Sequence, residues 1–228
     1  QGIEFRLEVS YDNGETYSLY NGTFTQLGNA TIRAKVVDAN NYNRGEATKN
    51  IIVYAIGSAL DVKNELVTLH MGITQTVSGS AVSNLNTLNA AVNGASNVTY
   101  FATNEAVTIS GSTVTGANSG VAEVYALTGG AAYLAYTVTV KDYTGYKAVA
   151  TLADIKAVEQ NGKYLMVADV DLGGVAGQIA NAFSGIFDGN GHAVKNGYIN
   201  MATNAGEAKR NFIGALQGGT LKNTAFIG

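Results

Sequence analysis

Asp169, Asp171 and Asp188, with Asn190, form the one group of side chains in this sequence whose types and spacing suit a hard cation such as calcium, which prefers oxygen ligands. The same residue types have a second use, because Asp and Asn side chains bond nearby backbone amides and shape turns. Three aspartates could also supply the acid and base of glycoside cleavage, which needs two carboxylates. Other catalytic chemistry finds little to work with. His70 and His192 lie far apart in the chain, and there is no cysteine. The many Ser and Thr hydroxyls have no base to activate them. Tyr125, Tyr133 and Tyr136 gather late in the chain, followed by Tyr143 and Tyr146. Such rings can receive the apolar face of a sugar, or they can serve as strand surface and packing. The expectation is a chain that is not an enzyme. Calcium at Asp169, Asp171, Asp188 and Asn190 is the single cofactor to consider, and Tyr125, Tyr133 and Tyr136 are candidates for surface binding.

The elements that would position these residues read as strands. Ile3, Phe5, Leu7 and Val9 alternate with Glu4, Arg6, Glu8 and Ser10, the period of a half-buried strand, and Asp12-Asn13-Gly14 follows as a turn. Ile32, Ala34 and Val36 alternate with Arg33 and Lys35. Between 98 and 125, Val98 and Tyr100 form a strand with Tyr100 in the core. Val107 and Ile109 face inward, Val114, Val121 and Val124 resume the core face, and Glu123 and Tyr125 face out. Asp142-Tyr143-Thr144-Gly145 reads as a polar linker, and the capping pattern of Thr151 and Asp154 predicts one short helix over 152–160. With 228 residues, 28 of them Gly and none Pro, and a net charge of −3, the chain suits a turn-rich, all-β architecture. That charge argues against capture of nucleic acid, which needs a basic face. No apolar run is long enough to insert in a membrane.

Three stretches carry resemblances. The first 56 residues resemble the later strands of bacterial Ig-like or fibronectin-like modules, which implies a partial module over 1–56. LVTLHMGITQTVSGSAV at 66–82, VTYFATNEAVTISGSTVTGANSGVAEVYAL at 98–127 and AAYLAYTVTVKD at 131–142 resemble the bacterial Ig-like group 2 family, found in intimin- and invasin-like adhesins and in phage structural proteins. That resemblance implies a β-sandwich over 57–142, with Tyr100 where the family carries Trp. YLMVADVDLGG at 164–174, FSGIFDGNGHAVKNGYI at 183–199 and NFIGALQGGTLKNTAFIG at 211–228 resemble the first coils of a GLUG-type right-handed β-helix of bacterial surface proteins. It implies that 143–228 are the N-terminal cap and first coils. Gly185, Gly189, Gly191, Gly218 and Gly219 would turn the corners, while Phe187, Val194, Ile199, Leu221 and Phe226 would stack inward.

The function these resemblances imply is that of a non-catalytic, extracellular structural or adhesive segment of a larger bacterial surface protein, with Ig-like spacers presenting a β-helix. The rival is a fibre, decoration or tail protein of a phage virion, and a further alternative is the accessory region of a carbohydrate-active enzyme. The expected partners are other copies of the chain or further segments of its own protein, together with a host-surface protein or carbohydrate. A coil stack begun this way is expected to continue beyond Gly228.

Overall fold

The computed structural model describes residues 4–37, 45–58, 62–73, 75–77, 80–92, 95, 97–174, 182–197, 212–213 and 215–228. Ile3 and Ile199 therefore lie outside the described residues. Among the described residues the fold is all-β apart from one five-residue helix. Two compact units divide it: Gln1–Asn64 with Ala90–Phe101 and Tyr125–Ala135, and Glu65–Asn89 with Ala102–Val124 and Tyr136–Gly228.

In the first unit, β1 (Phe5–Ser10), β2 (Ser18–Leu19), β3 (Gly28–Val36) and β4 (Glu46–Val53) form an antiparallel sheet in the order β2-β1-β3-β4. The turn after β1 follows its sequence, with Asn13 and Gly14 both left-handed at φ 59° and 91°. Burial along β1 departs from simple alternation. Val9 is buried, but Phe5 is 65% exposed and Leu7 stands largely in solvent, whereas Glu8 and Ser10 are buried. Specific pairing overrides the apolar period here. Arg33 holds Glu8 through its Nε at 2.8 Å, Arg6 holds it at 2.7 Å, and Arg33 also covers the Tyr17 ring at 3.6 Å. Ser10 closes on its own turn, donating to Asp12 Oδ1 and accepting from the Gly14 N–H.

The next strands are β5 (Ala55–Ile56), β6 (Glu65–Met71), β7 (Gln75–Val77), β8 (Ser80–Val82), β9 (Leu85–Thr87), β10 (Thr99–Ala102), β11 (Val107–Ser110), β12 (Thr113–Gly116), β13 (Gly120–Thr128) and β14 (Ala131–Asp142). One sheet has the order β10-β13-β14-β5, and β6 also pairs with β14. Ala131 and Ala132 pair in parallel with Ala55 and Ile56 in the first unit, and Tyr136–Asp142 pair in parallel with Glu65–Met71 in the second. The strands β11, β12 and β9 form a separate antiparallel sheet, with β12 and β9 against β6. Leu69, Val107, Val114, Val124, Val138 and Val140 are buried in the second unit. Val121 is not: it is 55% exposed. Strand geometry requires this, since Val121 and Val124 are three residues apart and a period of two puts them on opposite faces. Ala122 and Val124 face in, and Val121 joins Glu123 outside. Ile109 and Tyr100 are half-buried, and the Tyr100 hydroxyl accepts from the Ala90 N–H at 3.0 Å.

The remaining elements are β15 (Lys147–Val149), α1 (Leu152–Lys156), β16 (Lys163–Met166), β17 (Val170–Asp171), β18 (Ile186–Asp188), β19 (Ala193–Lys195), β20 (Thr220–Lys222) and β21 (Ala225–Ile227). Here every pairing is parallel, in two ladders ordered β15-β16-β18-β20 and β17-β19-β21. Equivalent positions stack: Tyr164 on Phe187 on Leu221, and Val170 on Val194 on Phe226. Tyr164, Phe187, Val170 and Val194, with Val149, Ile155, Met166, Leu172 and Phe183, make one apolar core against which Leu221 packs. Phe226 is the exception among the expected inward residues, being 51% exposed and resting edge-on against Phe212. It belongs to the last rung described, which is stacked on one side only.

The helix starts as its sequence indicates. Thr151 and Asp154 form a reciprocal capping box. It ends at Lys156 rather than near 160, because Val158 turns into the core and the Glu159 N–H is taken by the Tyr164 hydroxyl at 2.8 Å. Two glycines act through close approach. A Cβ on Gly185 would lie 2.0 Å from the Gly162 carbonyl oxygen, and one on Gly189 would lie 2.4 Å from that of Asn223.

Candidate functional site

The aspartates of the parallel ladders do not converge. Asp169 Oδ1 accepts from the Ala193 N–H at 2.9 Å and lies 3.3 Å from His192 Nδ1, while Oδ2 meets Lys195 Nζ at 2.5 Å. The Lys195 bond, then that amide, hold its carboxyl down to about 2. Asp171 accepts from the Gly173 N–H and from Asn196 Nδ2, which lower its pKa as well. Each carboxylate reaches from its own rung to the next, where Lys195 and Asn196 stand at the end of β19. Among the described residues, no three His, Asp or Glu side chains are placed to hold a metal ion. No partner for His192 is visible in the sequence; the pairing of β17 with β19 brings Asp169, just before β17, beside it.

Asp188 occupies a different place and is 2% exposed. Its Oδ1 accepts from the Asn190 N–H and from Asn223 Nδ2, both at 3.0 Å. Its Oδ2 is 3.2 Å from Lys222 Nζ and 3.4 Å from the Tyr143 hydroxyl. Burial pushes its carboxyl up, but the Asn223, Asn190 and Lys222 contacts together outweigh that and leave it lowered. Asn190 and Asn223 are both left-handed, at φ 51° and 53°, which turns their amides toward this carboxylate.

Tyr143 is the other half of that contact. Expected in a polar linker, it is buried, with its ring 5.1 Å from Tyr146 and 5.7 Å from His70. Val82, Leu165 and Val167 pack with it, so residues from β8 and from β16 share one apolar cluster. Burial, then the Asp188 charge, raise the Tyr143 hydroxyl to about 12. Beside the junction is an open groove of about 580 Å³ lined by Lys141, Asn190, Gly191, Asn223, Thr224 and Ala225. The sequence held one cue to this network, a tyrosine directly after the last strand of a module, but no local pattern distinguishes it from a solvated linker residue.

The three candidate binding tyrosines separate. Tyr136 is 1% exposed, and its hydroxyl exchanges hydrogen bonds with Asn89, accepting from the backbone N–H at 2.8 Å and donating to Oδ1 at 3.1 Å. It is a core residue, not a surface one. The cause is a break in alternation along β14, where Ala135 and Tyr136 are both buried. Tyr125 and Tyr133 are half-buried, and the Tyr133 ring lies over Gly57, where a Cβ would be 2.1 Å from it. Phe101, on β10, is more exposed than either, at 55%.

A scan against models of protein families finds no match, and a search of curated proteins likewise finds none.

Proposed function

We propose that this chain is a non-catalytic structural and adhesive segment of a larger bacterial surface protein, in which Ig-like modules over 1–56 and 57–142 act as spacers for a β-helix beginning at 143. The observation that carries this reading is the in-register parallel stacking of β16, β18 and β20 beside β17, β19 and β21. Parallel ladders of strands two to four residues long, with inward side chains stacked from level to level, are what a coil-by-coil solenoid requires. Before the stack the sheets β2-β1-β3-β4 and β11-β12-β9 are antiparallel, and β14 pairs in parallel with β5 and β6; layered sheets of this kind suit sandwich modules.

The chemistry of the side chains supports presentation over catalysis. The carboxylates that could have been acid and base are committed to inter-rung bonds, which suits a scaffold. Phe101, Tyr125 and Tyr133 are the aromatic surface from which contact with a host protein or carbohydrate would be built. The direct test is labelling of intact producing cells with antibody raised against the chain. Signal on unbroken cells is the expected result. Signal that appears only after lysis, or only on virions, overturns the assignment.

A further inference from the structure

We propose that His70 is a proton-sensitive latch that, when neutral, holds the β6 and β14 strand pair onto the corner of the parallel stack and, when protonated, releases it. The latch is built from contacts on both sides. The His70 ring lies on Tyr143 at an interplanar angle of 17°, and Tyr143 bonds Asp188 of β18. The His70 backbone N–H donates to the Ser83 carbonyl just after β8 at 2.9 Å, and the Asn190 side chain at the stack corner stands close enough to the ring to favour its protonated form. His70 is 8% exposed, and its buried Nδ1 has no hydrogen-bond partner among the described residues.

That lone nitrogen decides the chemistry. A neutral imidazole can leave a lone pair unbonded at modest cost, but protonation would create a buried N–H with no acceptor and a charge with no counterion. The charged groups around the ring make the cation less welcome. Lys141 on β14 is the register partner of His70. Tyr143, whose hydroxyl is raised to about 12, brings no negative charge to the ring, and Tyr146 packs behind it. Behind Tyr143, the Asp188 oxygens are committed to Lys222, Asn223, Asn190 and Tyr143, and Asp142 at the end of β14 is opposite Met71 and accepts from the Thr144 N–H.

The sign follows. Burial and then Lys141 lower the His70 pKa, against smaller opposing effects of the Asn190 and Ser83 bonds. A released ring returns to about 6.5. The released form therefore binds more protons, so closure is favoured above about 6.5 and is lost as pH falls through the lowered value. The aspartates do not confuse this window, since those of the ladders have carboxyls held below 3.8.

Hydrogen exchange of the full chain, followed by mass spectrometry at pH 7.5 and 5.0 and corrected for intrinsic rates, tests the latch. Protection in peptides covering 66–72 and 186–193 should fall about tenfold at pH 5.0 for each unit by which the pKa is lowered, while peptides covering 120–128 keep theirs. His70→Phe keeps a ring against Tyr143 but takes no proton, and should show equal protection at both pH values. Lys141→Gln should move the transition to higher pH. If His70→Phe shows the same acid loss as the parent chain, the latch is wrong. Should that variant not fold, NMR titration of His70 in the parent chain decides alone: a pKa below 6.5 agrees with the latch, and one at or above 6.5 overturns it.

Discussion

The Tyr143 hydroxyl and the Asp188 carboxylate are a proton donor and an anion in a place where neither is well hydrated. Their pKa values are displaced in opposite directions, the phenol up to about 12 and the carboxyl downward. For Tyr143 the folded value exceeds the unfolded one, near 10, so the contribution is complete below about pH 10 and is lost as pH rises toward 12. Tyr143→Phe keeps the ring stacking and removes that titration. Denaturant midpoints measured from pH 9 to pH 11.5 should therefore fall less steeply for the variant than for the parent. An identical alkaline slope would remove Tyr143 from the account. Little of this contact was legible in the sequence. Asp188 stands in a turn phrase and does shape a turn through Asn190, as its residue type indicates. Its partners Tyr143 and Lys222 lie 45 and 34 residues away, and no local pattern announces them. Tyr136 failed for the complementary reason. Its residue type and the tyrosines clustered near it made it a candidate for surface binding, and a break in the alternation of β14 turned it in.

At the scale of the element, the ladders depend on backbone closeness at a few corners. Gly185 passes the Gly162 carbonyl with no room for a methyl group, whereas Gly191 has open space but a left-handed φ of 85°. These are separate demands and predict separate costs. Gly185→Ala should destabilise by about 3 kcal/mol, at the upper end of overpacking penalties, because backbone rather than a flexible side chain must move. Gly191→Ala should cost about 1 to 2 kcal/mol, the penalty for a Cβ in the left-handed region. Equal thermal shifts in the two variants would contradict the distinction. Periodicity made the strands and the start of α1 readable, because capping chemistry and alternation are local. Two things were not readable. The burial of Glu8 depends on arginines from its own and a neighbouring strand, and the helix end depends on Tyr164, which lies beyond it in sequence.

For the whole molecule, the described stack has an interior and an end. Rungs β16 and β18 are paired on both sides, while β20 and β21 are paired on one, with Phe226 and Ile227 each about half exposed. Amide exchange at neutral pH should be slowest in 163–166 and 186–188 and clearly faster in 220–227, since protection follows local burial and pairing. Uniform protection across the three would mean that the last rung is covered. The all-β class was legible from composition and alternation. The parallel sense of the final strands was not legible from alternation, which looks the same in either sense; it came through the resemblance of the repeated phrases. Those phrases have one more consequence. Because Asp171 meets Asn196 and Asp188 meets Asn223 on the following level, each layer carries the fittings for the next. Parallel layers are spaced by about 4.8 Å. In the β-helix proposed above, duplication of one coil's worth of coding DNA would add a layer whose Asp and Asn fittings match its neighbours, so the length of the stack could change by recombination in whole increments.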